Sequence, residues 1–193
     1  MATQTDIANM ALIKLGQETI SDLTENNVRA RTMNALYDLE RKSLLRQHRW
    51  AFSIERAQLA ALTAAPTWGY TTQFQLPVDC LQVISVENQE DDPNLAEYNS
   101  YPKPQFKIEG RKILIDETGP IKIVYVKDFE EAGDFDSAFV KAFACALAVE
   151  AAEKVTQSNT KKESLKDDYR TAISFAIRSN AIERPSEMQA DTA

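Results

Sequence analysis

The spacing of the apolar residues changes twice along this chain of 193 residues, and each change predicts a change of secondary structure. Residues 5–48 repeat apolar side chains every three to four positions, which is the period of an amphipathic helix. Residues 70–126 contain runs in which alternate residues are apolar, which is the period of a strand. From residue 136 the helical period returns. The order helices, strands, helices predicts an α+β fold.

Four helices are predicted, near residues 5–15, 27–48, 136–157 and 160–180. Each is preceded by residue types that cap helices, namely Thr3 or Thr5, Asn26 or Asn27, Asp136 and Thr160. Alanine is frequent in residues 142–152, which favours helix and allows helices to approach closely. We therefore expect an antiparallel four-helix-type bundle with an inserted small antiparallel β domain.

The central part of the chain has the signals of a small antiparallel sheet. Residues 105–108 and 112–115 flank Glu109-Gly110-Arg111, and this arrangement predicts a hairpin. Further strands are predicted at residues 70–76, 81–86 and 121–126. Residues 53–62 are predicted as a short helix, and the polar residues 88–104 as a long loop.

These signals predict how the chain is divided. Residues 1–66 and 132–182 are expected to form the helical bundle, and residues 67–131 the β-rich insertion. Residues 183–193 are expected to be a flexible C-terminal tail that becomes ordered on a partner.

The net charge of −7 is unevenly distributed. Residues 26–58 carry seven basic and three acidic side chains, whereas residues 87–137 carry six basic and thirteen acidic ones. The simple interpretation is two solvated faces. The alternative is a basic face that meets an acidic face on another copy. The candidates for that contact are the basic Arg41, Arg46, Arg49 and Arg184 and the acidic Asp91, Asp92, Glu130 and Glu131.

The acidic balance is atypical of a protein that binds DNA by neutralising phosphates, because that needs clustered Lys and Arg. It is compatible with a protein that surrounds DNA without binding it, since an acidic wall repels a polyanion. The most apolar run, residues 142–149, is far too short to cross a bilayer, so no membrane partner is expected.

Few residues are of the kinds that catalysis uses. The single histidine, His48, belongs to no nucleophile motif, and the five glycines form no phosphate-binding loop. Cys80 and Cys145 lie far apart in apolar surroundings, which disfavours a zinc site or a disulfide. Adjacent acids such as Glu90-Asp91-Asp92 are usually solvated surface. We therefore predict no enzyme activity, no cofactor and no metal site.

Aromatic residues cluster in one short region, at Trp50, Phe52, Trp68, Tyr70 and Phe74. They are expected to anchor the sheet to the helices as core residues. Exposed aromatic residues there would instead mark an assembly surface.

Three segments of the sequence resemble one known family. Residues 7–16 (IANMALIKLG) form a helix pattern that ends in Leu-Gly. Residues 44–60 contain a leucine pair, a His-x-Trp-x-Phe step and RAQLA. Residues 68–83 (WGYTTQFQLPVDCLQV) contain an aromatic stretch followed by Leu-Pro-x-Asp-Cys-Leu. In this order the three segments are similar to podophage tail tubular protein A and related head-to-tail adaptors.

The resemblance implies a structural virion subunit with no catalytic residues and no cofactor. Such a subunit assembles in the host cytoplasm into a ring of about twelve copies, with the closed symmetry of a homo-oligomer. The ring lies in the neck of a short-tailed phage, between the portal and the tail nozzle protein. Genomic DNA passes through it during ejection without sequence-specific binding.

Other functions remain open from the sequence. One is a head- or tail-completion protein of a long-tailed phage, and another is a helical adaptor unrelated to phage. A third is a cell-wall hydrolase that uses the acids of the predicted loop.

Overall fold

The structure, a computed structural model, describes residues 2–86, 89–90, 106–156 and 158–183. The chain divides into two compact units, a helical unit of Met1–Phe52 and Glu130–Ala193 and a β unit of Ser53–Phe129. The predicted tail lies outside the described residues from position 184 onward, and so does most of the predicted loop at 88–104.

The helical unit is organised around one central helix. Its helices are α1 (Gln4–Leu15), α2 (Val28–Gln47), α3 (Ser137–Thr156) and α4 (Asn159–Glu183). Helix α3 packs against each of the other three helices. Thirteen of its 20 residues are buried, seven of them alanines spread around its circumference. Small side chains on every side allow three helices to approach α3 closely.

The predicted four-helix bundle with one inserted β domain is therefore wrong as an architecture. In such a bundle each helix buries one stripe and shares the core equally with its neighbours. Here α3 is enclosed by α1, α2 and α4, and the strands form two antiparallel sheets. The alanine-rich segment was correctly predicted as a helix, but its apolar residues lie on all faces, which is the pattern of an enclosed helix.

Local capping sets the helix ends. The Thr3 hydroxyl accepts a hydrogen bond from the Asp6 amide (3.1 Å), and the Asp6 carboxylate accepts one from the Thr3 amide (2.9 Å). Asn27 caps α2 through the Ala30 amide, at 2.7 Å. Helix α1 ends at Gly16, whose positive φ of 73° is the left-handed conformation that glycine adopts without strain.

The β unit contains two antiparallel sheets. The first has the order β1 (Ile54–Leu59), β7 (Ile121–Lys127), β3 (Cys80–Val86) and β4 (Gln89–Glu90). The second has the order β2 (Thr72–Gln75), β6 (Lys112–Ile115) and β5 (Phe106–Glu109). The core of the β unit draws on both sheets and includes Phe74, Ile113 and Ile121, each fully buried.

The predicted hairpin is confirmed. Strands β5 and β6 are joined by Gly110 and Arg111, which both have positive φ, at 52° and 63°. Two consecutive residues with positive φ match the right-handed twist of the flanking strands.

The predicted short helix at residues 53–62 is wrong, because β1 occupies residues 54–59. Six consecutive residues of β1 pair with β7, from Ile54 opposite Val126 to Leu59 opposite Ile121. Glu, Arg, Ala, Gln and Leu are all good helix formers, so this pairing with a distant strand overrides local propensity. As a result the β unit begins at Ser53.

Candidate assembly surfaces

Arg41, one of the predicted interface residues, lies inside the helical unit. Its side chain is only 2% exposed. Its guanidinium nitrogens lie 3.5 Å from Asp38 Oδ1 and 3.5 Å from Glu130 Oε1. A buried cation requires such partners, because leaving it without an opposite charge is costly. Glu130 was also predicted at the interface. The attraction between Arg41 and Glu130 that was expected between two copies is therefore an ion pair within one chain.

The other predicted interface residues lie in different places. Arg46 is exposed on α2, and Arg49 is half-buried just after that helix. Glu131 is exposed and precedes a short 3-10 helix, Ala132–Asp134. Three members of the set lie outside the described residues, namely Asp91, Asp92 and Arg184.

The aromatic residues near Trp50 are divided between core and surface. Trp50 is buried in the helical unit, where its ring lies edge-on to Phe139 with 5.0 Å between centroids. The Trp50 indole donates a hydrogen bond to the Leu44 carbonyl, at 2.9 Å. Phe52 also lies edge-on to Phe139, at 5.0 Å. These contacts fix the segment that follows α2.

Asn180 on α4 holds the same segment through its amide group. The Asn180 Oδ1 accepts a hydrogen bond from the Ala51 amide (2.7 Å), and Nδ2 donates to the Arg49 carbonyl (3.1 Å). These two bonds fix the orientation of the amide. The Asn180 Nδ2 also lies 3.0 Å from Nε2 of His48. Because Nδ2 is a donor, this contact is a hydrogen bond in the His48 tautomer that carries its proton on Nδ1. His48 therefore belongs to a structural network.

The helical unit exposes large apolar side chains that the sequence analysis did not identify. The exposed fraction is 65% for Leu39 and 53% for Val28 on α2. It is 63% for Phe175 and 86% for Ile182 on α4, and 62% for Ile13 on α1. A signal for the α4 pair was present, because Phe175 and Ile182 are seven residues apart and lie outside the stripe that α4 buries.

The β unit has an exposed aromatic residue of its own. Trp68 is 83% exposed and borders a surface cavity of about 450 Å³, together with Lys107 and Lys112. Val78 is 97% exposed. Trp68 thus matches the alternative expectation of an exposed aromatic, whereas Phe74 is fully buried.

Neither a metal site nor a membrane-spanning helix is found in the described ranges. Within them, no three or more His, Cys, Asp and Glu side chains are grouped in a way that could hold a metal ion. No helix in the same ranges combines the length and apolar character needed to span a membrane. The two cysteines are buried, and burial raises the pKa of the Cys145 thiol.

Comparison of the sequence with models of known families and with curated proteins finds no match.

Proposed function

We propose that this protein is a structural subunit of a short-tailed bacteriophage. Copies of the chain assemble into a ring between the portal and the tail nozzle protein, and the ring is a conduit for DNA. The protein works by docking to its neighbours, and it turns over no substrate.

The observation that carries the proposal is the exposure of large apolar side chains on the outside of the helical unit. Leu39, Phe175 and Ile182 are each more than 60% exposed. Phe175 and Ile182 lie on one face of α4, and exposed apolar side chains that share a face commonly mark a protein–protein interface. Burying one such side chain against a neighbour contributes about 1.5–3 kcal/mol, so a few of them per contact can support association.

The phage assignment is supported by where the resemblance falls in the fold. Gly16 ends α1 with a left-handed conformation, Trp50 is buried just after α2, and Cys80 begins β3. These three residues, which belong to the segments that carry the resemblance, therefore lie where one element ends or the next begins. Such positions are expected to be shared by proteins that have a common architecture.

Native mass spectrometry over a range of protein concentrations tests the proposal. The wild-type chain is measured alone and with the portal protein of the same genome. We expect one closed oligomer of defined copy number in at least one of these samples. Single chains in every sample would contradict the proposal, and so would release of sugars or peptides from purified cell walls by the pure protein.

A further inference from the structure

Helix α2 presents a straight stripe of exposed side chains on the face opposite its buried residues. The stripe, called the α2 stripe below, follows the helical spacing of four, three, four, three and four residues. It consists of Val28, Thr32, Ala35, Leu39, Lys42 and Arg46. The N-terminal part is largely apolar, whereas the last two residues are basic. Five of the six side chains are exposed, and that of Thr32 is partly exposed.

Helix α4 presents a second stripe with the same spacing and length but a different chemistry. The α4 stripe consists of Ser164, Asp168, Thr171, Phe175, Arg178 and Ile182, all exposed. The charged member of its N-terminal part is Asp168, whereas the neighbouring Glu163 and Asp167 are paired within α4 with Lys166 and Arg170, at 2.7 and 3.0 Å. Its C-terminal part carries the exposed Phe175 and Ile182. Asp168 lies 3.5 Å from Lys14, yet its side chain remains 56% exposed.

We propose that the α2 stripe of one copy packs antiparallel against the α4 stripe of the next copy in the ring. This inference rests on the proposed function. Each stripe covers about 27 Å of helix at a rise of 1.5 Å per residue. In the antiparallel register Val28 faces Ile182, Ala35 faces Phe175, and Lys42 faces Asp168. Val28 and Ala35 then cover the exposed Ile182 and Phe175, and Lys42 meets an opposite charge. Leu39 faces Thr171, and Arg178 faces Thr32.

The charges select this direction over the parallel one. A parallel register would place Lys42 opposite Arg178 and Val28 opposite Ser164. Like charges across a contact disfavour it and so suppress the wrong pairing. Because the two stripes are different surfaces of one chain, each copy offers one stripe to each neighbour. Contacts of this heterologous kind generate closed rings when the rotation between copies closes.

Disulfide trapping tests the register with positions that are neither the apolar anchors nor the proposed ion pair. Thr32→Cys and Arg178→Cys are combined in one chain, since these positions face each other in the antiparallel register. The native Cys80 and Cys145 are buried and should not react. After oxidation with copper phenanthroline, we expect a ladder of dimers and larger species on a non-reducing denaturing gel. The matched control combines Thr32→Cys with Ser164→Cys. These positions lie within about one helical turn of each other in the parallel register and about 21 Å apart along the helices in the antiparallel one, so the control should give no ladder.

A charge exchange gives a second, independent measurement. Lys42→Glu alone and Asp168→Lys alone should each raise the concentration at which half of the chains are assembled, by up to about fivefold. The double variant should restore assembly, because the pair is again of opposite sign. Circular dichroism checks that each variant keeps its helices.

The outcomes separate this inference from the proposed function. If the wild-type chain forms rings but only the parallel cysteine pair cross-links, or neither pair does, the register is overturned and the ring stands. If the double charge variant assembles no better than the single variants, the register is likewise overturned. If the wild-type chain forms no ring alone or with portal, both proposals fail.

Discussion

Asn180 links helix α4 to the segment that follows α2. It is buried, and its amide bonds both the Ala51 amide and the Arg49 carbonyl. Asn180→Ala removes both bonds and leaves these backbone groups without their partner. We expect a loss of about 1–3 kcal/mol in the free energy of unfolding, measured by urea denaturation.

The matched control for this variant is Asn34→Ala, which changes an exposed asparagine on α2. Its free energy of unfolding should stay within about 0.5 kcal/mol of the parent. An equal loss in both variants would mean that the Asn180 bonds contribute nothing specific.

Glu40 makes stability depend on pH. Partial burial, and secondarily the nearby Glu150, raise the pKa of the Glu40 carboxyl. The ionised form is therefore less favourable in the folded chain than in the unfolded chain. This cost is absent below the unfolded pKa, grows as the pH rises toward the folded pKa, and is complete above it.

Glu40→Gln should therefore be more stable than the parent at about pH 7, and the advantage should shrink as the pH falls to about 4. Urea denaturation at both pH values measures it, with the exposed Glu117→Gln as the control. An advantage that is independent of pH, or a less stable Gln variant at neutral pH, would contradict this explanation.

At the residue scale, the sequence predicted the sign of the charges but not their partners. Arg41 was assigned to a basic outer face, yet it is buried between Asp38 and Glu130. Glu130 is 89 positions away in the chain, and nothing local indicates that the fold brings it to Arg41. Capping residues are different, because Thr3, Asn27 and Asp136 act on amides two or three positions away. Interactions that short are visible in the sequence.

Among the elements, the turn before β7 depends on a glycine. Gly119 has a positive φ of 75°, and a Cβ added there would lie 2.7 Å from Cε1 of Phe74. Phe74 is fully buried in the β core. Gly119→Ala therefore combines an unfavourable backbone conformation, about 1–2 kcal/mol, with overpacking of about 1–3 kcal/mol.

Gly69→Ala separates these two effects. Gly69 also has a positive φ, of 91°, but nothing lies within 4 Å of an added Cβ. Both variants should be destabilised by the unfavourable backbone conformation, and only Gly119→Ala should be destabilised further by overpacking. Denaturant unfolding measures the loss of stability in each variant. A Gly119→Ala variant as stable as Gly69→Ala would show that the close approach to Phe74 is relieved without cost.

Elements set by local signals were predicted from the sequence, and elements set by distant pairing were not. The hairpin of β5 and β6 follows from two residues that must adopt positive φ. Strand β1 has the residue types of a helix and becomes a strand only because β7 pairs with it. The central position of α3 was not predicted, although the apolar residues on all of its faces are the pattern of an enclosed helix.

At the scale of the whole molecule, the sequence predicted assembly through charged faces, and the structure adds exposed apolar residues that this prediction did not include. The uneven charge distribution led to Arg41 and Glu130 being predicted at an interface, whereas these two residues pair within the chain. The exposed Leu39 and Phe175 were overlooked, because in a sequence an apolar residue on a helix is first assigned to the core. Only the packing of α2 and α4 against α3 shows which of their faces remain uncovered.

Electron microscopy of the wild-type chain mixed with the portal protein of its own genome is the most direct test of the central claim. We expect averaged images of a closed ring with an open central channel, seated coaxially on the portal. Images of an unaltered portal, together with a 21.7 kDa chain that remains single in the same sample, would contradict the claim.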